Sequence, residues 1–180
     1  MKNIGLSLLL PAVLAAGLIS VSTPAQATER EDVFITVLSG DEEVPVRPTR
    51  GQGVAFFRLS EDGTALEYKL IVANIHNVVA SHIHVAPAGV NGSVVAFLAG
   101  PFPPAGGRTQ GVLAQGTITA ENLVGPLAGL DLSALVAEMK AGNTYVNVHT
   151  NDGEDPTNTG PGDFPGGEIR GQIRDIGDID

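Results

Sequence analysis

Three of the chain's four histidines stand in two short segments: His82 and His84 in Ser-His-Ile-His-Val, and His149 in Tyr-Val-Asn-Val-His-Thr. Both segments read as β-strands. Successive side chains of a strand point to opposite faces. His82 and His84 therefore share one face, and Ile83 and Val85 take the other. Tyr145, Asn147 and His149 likewise share a face, opposite Val146 and Val148. Each strand thus puts its apolar set on one side and its imidazoles on the polar side. If the two strands are neighbours, three imidazoles converge outside the core. Such a trio suits one transition-metal ion, copper or zinc above all, and leaves at least one coordination position for water or an outside ligand.

Other polar residues have weaker claims. His76, just before the His-x-His strand, is a candidate fourth ligand or a solvated loop histidine. Asn147 shares the face of His149, where it either orients a ligand or is an ordinary polar residue. Glu168 and Arg170 fall on one face of a late strand and read, with Glu43, as a structural ion pair or loop clamp rather than as catalytic groups. Asp152, Glu154, Asp155 and Asp163 crowd one acidic loop. Their spacing is not that of a calcium loop, so the expectation is a solvated segment. There is no Gly-x-Ser-x-Gly turn and no phosphate loop.

The elements that must position these residues read as strands separated by Gly/Pro-rich turns. They are expected over 33–38, 53–59, 65–73, 78–86, 93–98, 111–119, 143–150 and 167–174. An Asp-Gly turn at residues 60–63 joins the second to the third. Residues 130–141 are the one helical stretch, with Leu132, Leu135, Val136 and Met139 at helical spacing and Asp131 or Ser133 as cap. About eight strands at regular spacing predict an all-β fold, a Greek-key sandwich or barrel with one short helix.

The first 27 residues read as a secretory leader: a positive start at Lys2, an apolar run from Ile4 to Val21, and a small-residue cleavage signal at Ala25-Gln26-Ala27. The run is long enough to span a bilayer, but Pro11 and the cleavage signal favour removal. Residues 28–180 then form one β-domain, with 9 basic and 20 acidic side chains. That balance argues against nucleic acid and anionic lipid as partners. With no cysteine, neither a disulfide nor a thiolate ligand is available.

Several ordered segments resemble the CHRD domain, a module first described in chordin and widespread in exported bacterial proteins. They are residues 38–45 (Leu-Ser-Gly-Asp-Glu-Glu-Val-Pro), 53–57 (Gly-Val-Ala-Phe-Phe), Ser81-His82-Ile83-His84 with Gly89-Val90-Asn91-Gly92, residues 141–150 ending in Val148-His149-Thr150, and residues 167–173. A looser resemblance is to Cu,Zn superoxide dismutase, through its His-x-His strand and late Val-His strand. That resemblance implies an immunoglobulin-like Greek-key sandwich and copper ligation at His82, His84 and His149. The stretch from Gly92 to Thr144 has no histidine to bridge to a second metal. The dismutase's disulfide and active-site arginine motif are also missing, and Arg170 matches the CHRD pattern instead.

The reading is an exported protein that holds one copper or zinc ion through His82, His84 and His149, with a role in envelope metal handling or oxidative protection. No membrane span remains after leader cleavage, and another envelope or extracellular protein is a candidate partner. Its rivals are a metal-free extracellular interaction module and a mononuclear copper dismutase-like enzyme.

Overall fold

Among the described residues, alternating apolar and polar side chains organise nine antiparallel strands. In the computed structural model, which describes residues 32–177, these are β1 (Val33–Ser39), β2 (Gln52–Leu59), β3 (Leu66–His76), β4 (Val78–Val85), β5 (Ser93–Ala99), β6 (Arg108–Ile118), β7 (Thr144–Thr150), β8 (Ile169–Gln172) and β9 (Arg174–Asp175). One helix, α1 (Leu132–Lys140), precedes β7. The leader expected over residues 1–27 lies outside the described residues. Among the described residues no helix is long and apolar enough to cross a membrane.

The strands form one sheet in the order β5-β4-β7-β8-β1-β2-β3-β6, with β9 beside β1. Two crossovers, which place β7 next to β4 and β6 next to β3, give the Greek-key pattern. The sheet curls until its two ends approach. There the Tyr68 hydroxyl of β3 donates to the Leu98 carbonyl of β5 (2.8 Å), and Val124 N donates to the Val95 carbonyl (2.9 Å). The all-β expectation is met, in the form of a nearly closed barrel.

Period-two alternation decides what fills the interior. Phe34 and Leu38 of β1, Ala55 and Phe57 of β2, and Leu66, Leu70 and Val72 of β3 are buried together. Ile83 of β4, Val146 and Val148 of β7, and Ile169 of β8 complete the far wall. Helix α1 closes one end through Leu132, Leu135, Val136 and Met139. Asp131 takes the N-cap position, but its side chain makes no cap bond. Its carbonyl instead accepts from Ala134 N at 3.0 Å. The Asp-Gly turn between β2 and β3 is fixed by Asp62, whose Oδ1 accepts from Ser60 Oγ, Thr64 N and Thr64 Oγ1 at 2.7–3.0 Å. Those bonds hold its carboxyl down at about 2.

Candidate metal centre

The crossover that seats β7 beside β4 pairs His82 with Asn147, His84 with Tyr145 and Ala80 with His149. Cross-strand partners project from the same face. The three imidazoles therefore gather on the side opposite Ile83, Val146 and Val148. Their ligand atoms lie within 4.8 Å of one another. An ion with bonds of about 2.0–2.1 Å in tetrahedral geometry would hold its nitrogens about 3.3 Å apart, so modest ring rotation closes the set.

This face is not the solvated outer wall that alternation predicts. His84 is only 8% exposed and Asn147 3%, and Tyr145 is buried as well. Three loops fold over the face. Residues 87–92 cover Tyr145, Glu43 and Gly167 cover Asn147, and Pro165 sits on His149. The histidines therefore occupy a second, small polar interior on the outside of the barrel wall.

Two backbone carbonyls fix the rings. Nδ1 of His84 lies 3.0 Å from the Gly92 carbonyl, and Nδ1 of His149 lies 2.9 Å from the Pro165 carbonyl. A carbonyl can only accept, so each Nδ1 carries the proton and each Nε2 keeps its lone pair. Nδ1 of His82 stands 3.0 Å from the His149 lone pair and is the donor of that contact. Nε2 of His84 is buried and has no hydrogen-bond partner. Carbonyl-anchored imidazoles with inward lone pairs are the arrangement that ligating histidines adopt.

The surroundings favour neutral rings. Burial, then the neighbouring His149 and His84, pushes His82 down to about 4. Burial also lowers His84, against the Gly92 carbonyl and Asn147, which raise it, while Arg170 lowers it further. His149 is lowered by burial and by His84, against the Pro165 carbonyl. A neutral imidazole is the form that binds a metal.

A stack of three groups backs His84. Its ring lies parallel to Tyr145 (4.7 Å between centroids, 9° between planes), and the Arg170 guanidinium covers the other face of Tyr145 at 3.4 Å. Arg170 is 1% exposed and donates to Asn91 Oδ1 (3.1 Å) and the Val90 carbonyl (3.0 Å). The Tyr145 hydroxyl accepts from Gly92 N at 3.1 Å. A side chain at position 92 would run into the Val85 carbonyl, so glycine is needed there. Phe97 of β5 meets His82 edge-on at 4.8 Å and is 53% exposed, which marks the open side of the cluster.

The remaining expectations divide. His76 is exposed at the end of β3 and stays outside the cluster. Only Asn77 separates it in sequence from β4, yet β3 and β4 lie far apart in the sheet order. Asn147 does pack within the polar interior. Glu168 does not pair with Arg170. It is a loop clamp, accepting from Thr49 Oγ1 (2.5 Å), Thr150 Oγ1 (2.6 Å) and Gly162 N (2.8 Å). Asp163 is buried rather than solvated, and its Oδ2 accepts from Thr159 N and Thr159 Oγ1 at 3.0 Å. Among the described residues the three histidines are the metal-capable cluster, and the acidic loop forms none. The Arg170–Tyr145 backing was missed in the sequence, where position 170 was marked only by its shared face with Glu168 and by the CHRD-like segment 167–173.

A family model described as the CHRD domain matches residues 34–173. No curated protein and no solved structure gives a match.

Proposed function

The chain belongs to the CHRD domain family, and from the clustered imidazoles we propose that it binds one transition-metal ion, copper or zinc, through His82, His84 and His149. The observation that carries this reading is the buried, unpartnered Nε2 of His84. Leaving a buried polar atom unpaired costs about 1–3 kcal/mol. A bound ion would satisfy that atom and draw on the lone pair of His149 as well. Both rings are already held in the required tautomer by the Gly92 and Pro165 carbonyls.

The donor set is nitrogen only, which favours copper and zinc over calcium or magnesium. Three protein ligands would leave a coordination position for water or an outside ligand, reached from the exposed side at Phe97. The bound ion would supply a site for ligand exchange or, if copper, for one-electron chemistry. With the secretory leader expected over residues 1–27, the proposed role is metal handling or oxidative protection of the envelope. Arg170 supports the ring stack rather than an incoming ligand, because its guanidinium is enclosed by Tyr145, Val90 and Asn91.

Elemental analysis of protein purified without a histidine tag, followed by titration with Cu(II) and Zn(II), tests the proposal. One equivalent should bind, and electron paramagnetic resonance of the copper form should show nitrogen ligation. Absence of stoichiometric binding would end the metal reading and leave the interaction module in its place.

A further inference from the structure

The loop that supplies Pro165 also borders, through Pro161, a cleft of about 630 Å³ lined by Arg47, Thr49, Arg50, His76 and Arg108. Small-molecule sites are commonly about 300–1,000 Å³. Its charge runs against that of the chain. The protein carries 20 acidic and only 10 basic residues, yet three arginines and a histidine line this cleft, with Asp41 as the one carboxylate among them.

Four separate segments build the walls. The turn after β1 contributes Asp41 through Arg50, pinned where Arg47 N donates to the Gly40 carbonyl (2.9 Å). The end of β3 contributes Asn74 and His76, and the start of β6 contributes Arg108, the direct cross-strand partner of His76. Pro161 comes from the long loop between β7 and β8. Asn77 ties three of these segments together. Its side chain donates to the Gly162 carbonyl (3.2 Å) and accepts from Gly107 N (3.0 Å), and its own N donates to the Gly107 carbonyl (2.7 Å). The arginines are thus presented on a fixed frame.

None of the three arginines is in an ion pair among the described residues, where the pairs are Arg58–Glu67 and Lys140–Asp32. Arg47 rests over the Phe164 ring at 4.8 Å, and Arg108 donates to Gln110 Oε1 at 2.6 Å. Arg50 and Arg108 are exposed. Guanidinium forks match the planar or tetrahedral oxygens of carboxylate, sulfate and phosphate, and several in one concavity concentrate anions. The space exceeds what a lone inorganic anion fills, and Thr49, Asn74 and His76 offer partners for hydroxyl groups.

We propose that the cleft between Arg47, Arg50, Arg108 and His76 is a binding site for an anionic, sugar-sized molecule, distinct from the histidine cluster. Calorimetric titration of the purified protein with glucose 6-phosphate, glucose 6-sulfate and glucuronate, against glucose, varies the anionic group on nearly one carbon frame. At least one of the three anionic sugars should bind, more weakly as salt rises, and glucose should not. Arg50→Gln and Arg108→Gln should each weaken binding roughly tenfold, the loss of one charge-assisted contact. Arg58→Gln, on β2 and paired to Glu67, should leave it unchanged. Both cleft positions are exposed, so thermal melting of each variant should match the parent and confirm that the fold is intact. The site is refuted if none of the anionic sugars binds, if glucose binds equally well, or if the Arg50→Gln/Arg108→Gln double variant binds like the parent. Metal titration of that double variant should be unaltered, so the cleft and the histidine cluster stand or fall separately.

Discussion

Nδ1 of His82 stands 3.0 Å from Nε2 of His149, and the opposite nitrogen of His149 is anchored to the Pro165 carbonyl. In the metal-free protein His82 therefore donates to His149. An ion between the two rings would take Nδ1 of His82 once the His82 proton has shifted to its own Nε2, and would have His84 as its third ligand. His149→Ala removes both a lone pair and the anchored ring. It should weaken metal affinity by more than the roughly 10–100-fold typical of supporting residues. His76→Ala should leave affinity unchanged. Competition against a chromophoric chelator reads both, and equal affinity in the parent and His149→Ala would remove His149 from the site.

The Arg170–Tyr145–His84 stack makes a second prediction. Lysine at 170 cannot cover the Tyr145 ring with a planar group or reach both Asn91 and Val90. Hydrogen bonds to charged groups are worth about 1.5–3 kcal/mol. Arg170→Lys should therefore cost about 2–4 kcal/mol in urea unfolding, and metal affinity should drop roughly tenfold as His84 loses its support. An unchanged urea midpoint would show that the stack carries no such energy.

Proton competition gives a third. A histidine of ordinary pKa, near 6.5, would lose its ion as pH falls through that value. His82 is held down at about 4, and burial lowers His84 and His149 as well. Loss of zinc should thus set in only below the ordinary histidine range and steepen toward about pH 4, where His82 takes up its proton. Dissociation constants measured at three pH values suffice. Loss of the ion already near pH 6.5 would mean that the rings titrate as exposed histidines do.

Much of this was legible in the residues. Alternation put His82, His84, Tyr145, Asn147 and His149 on one face, and the pairing of β4 with β7 kept them there. The strand pattern itself could not show that β7 lies beside β4, because the crossover depends on how the whole barrel closes. Nor could it show what the Gly/Pro segments would do. Those loops fold over the polar face, bury Tyr145 and Asn147, and decide between the two roles open to Glu168, making it a three-way loop clamp and not an ion-pair partner. The arginine cleft was invisible for a related reason. Arg47, Arg50 and Arg108 are brought together by tertiary structure alone, and no local motif connects them.

Glu43 carries the last prediction. It is 4% exposed, its Oε1 has no hydrogen-bond partner, and it packs against Gly167, whose φ of 126° and missing side chain make room for it. Burial raises its carboxyl to about 7, against the lowering effect of Arg170. A raised acid binds its proton more tightly in the folded state. Its contribution is full below the unfolded value near 4.5 and is lost as pH rises through about 7. At about 1.36 kcal/mol per unit, the loss is on the order of 3 kcal/mol. The lowered histidines act with the opposite sign, because the unfolded chain takes up their protons first as pH falls below 6.5. Between about pH 4.5 and 6.5 the two slopes oppose each other, and above that window the Glu43 loss stands alone. Glu43→Gln keeps the shape and removes the titration. The metal-free variant should gain stability relative to the parent from about pH 5 to 7, with the difference levelling off by pH 8, and show only the rising histidine slope below pH 6.5. Urea unfolding of both proteins at pH 5, 6, 7 and 8 decides it, since parallel curves across that range would mean that Glu43 titrates as an ordinary carboxylate.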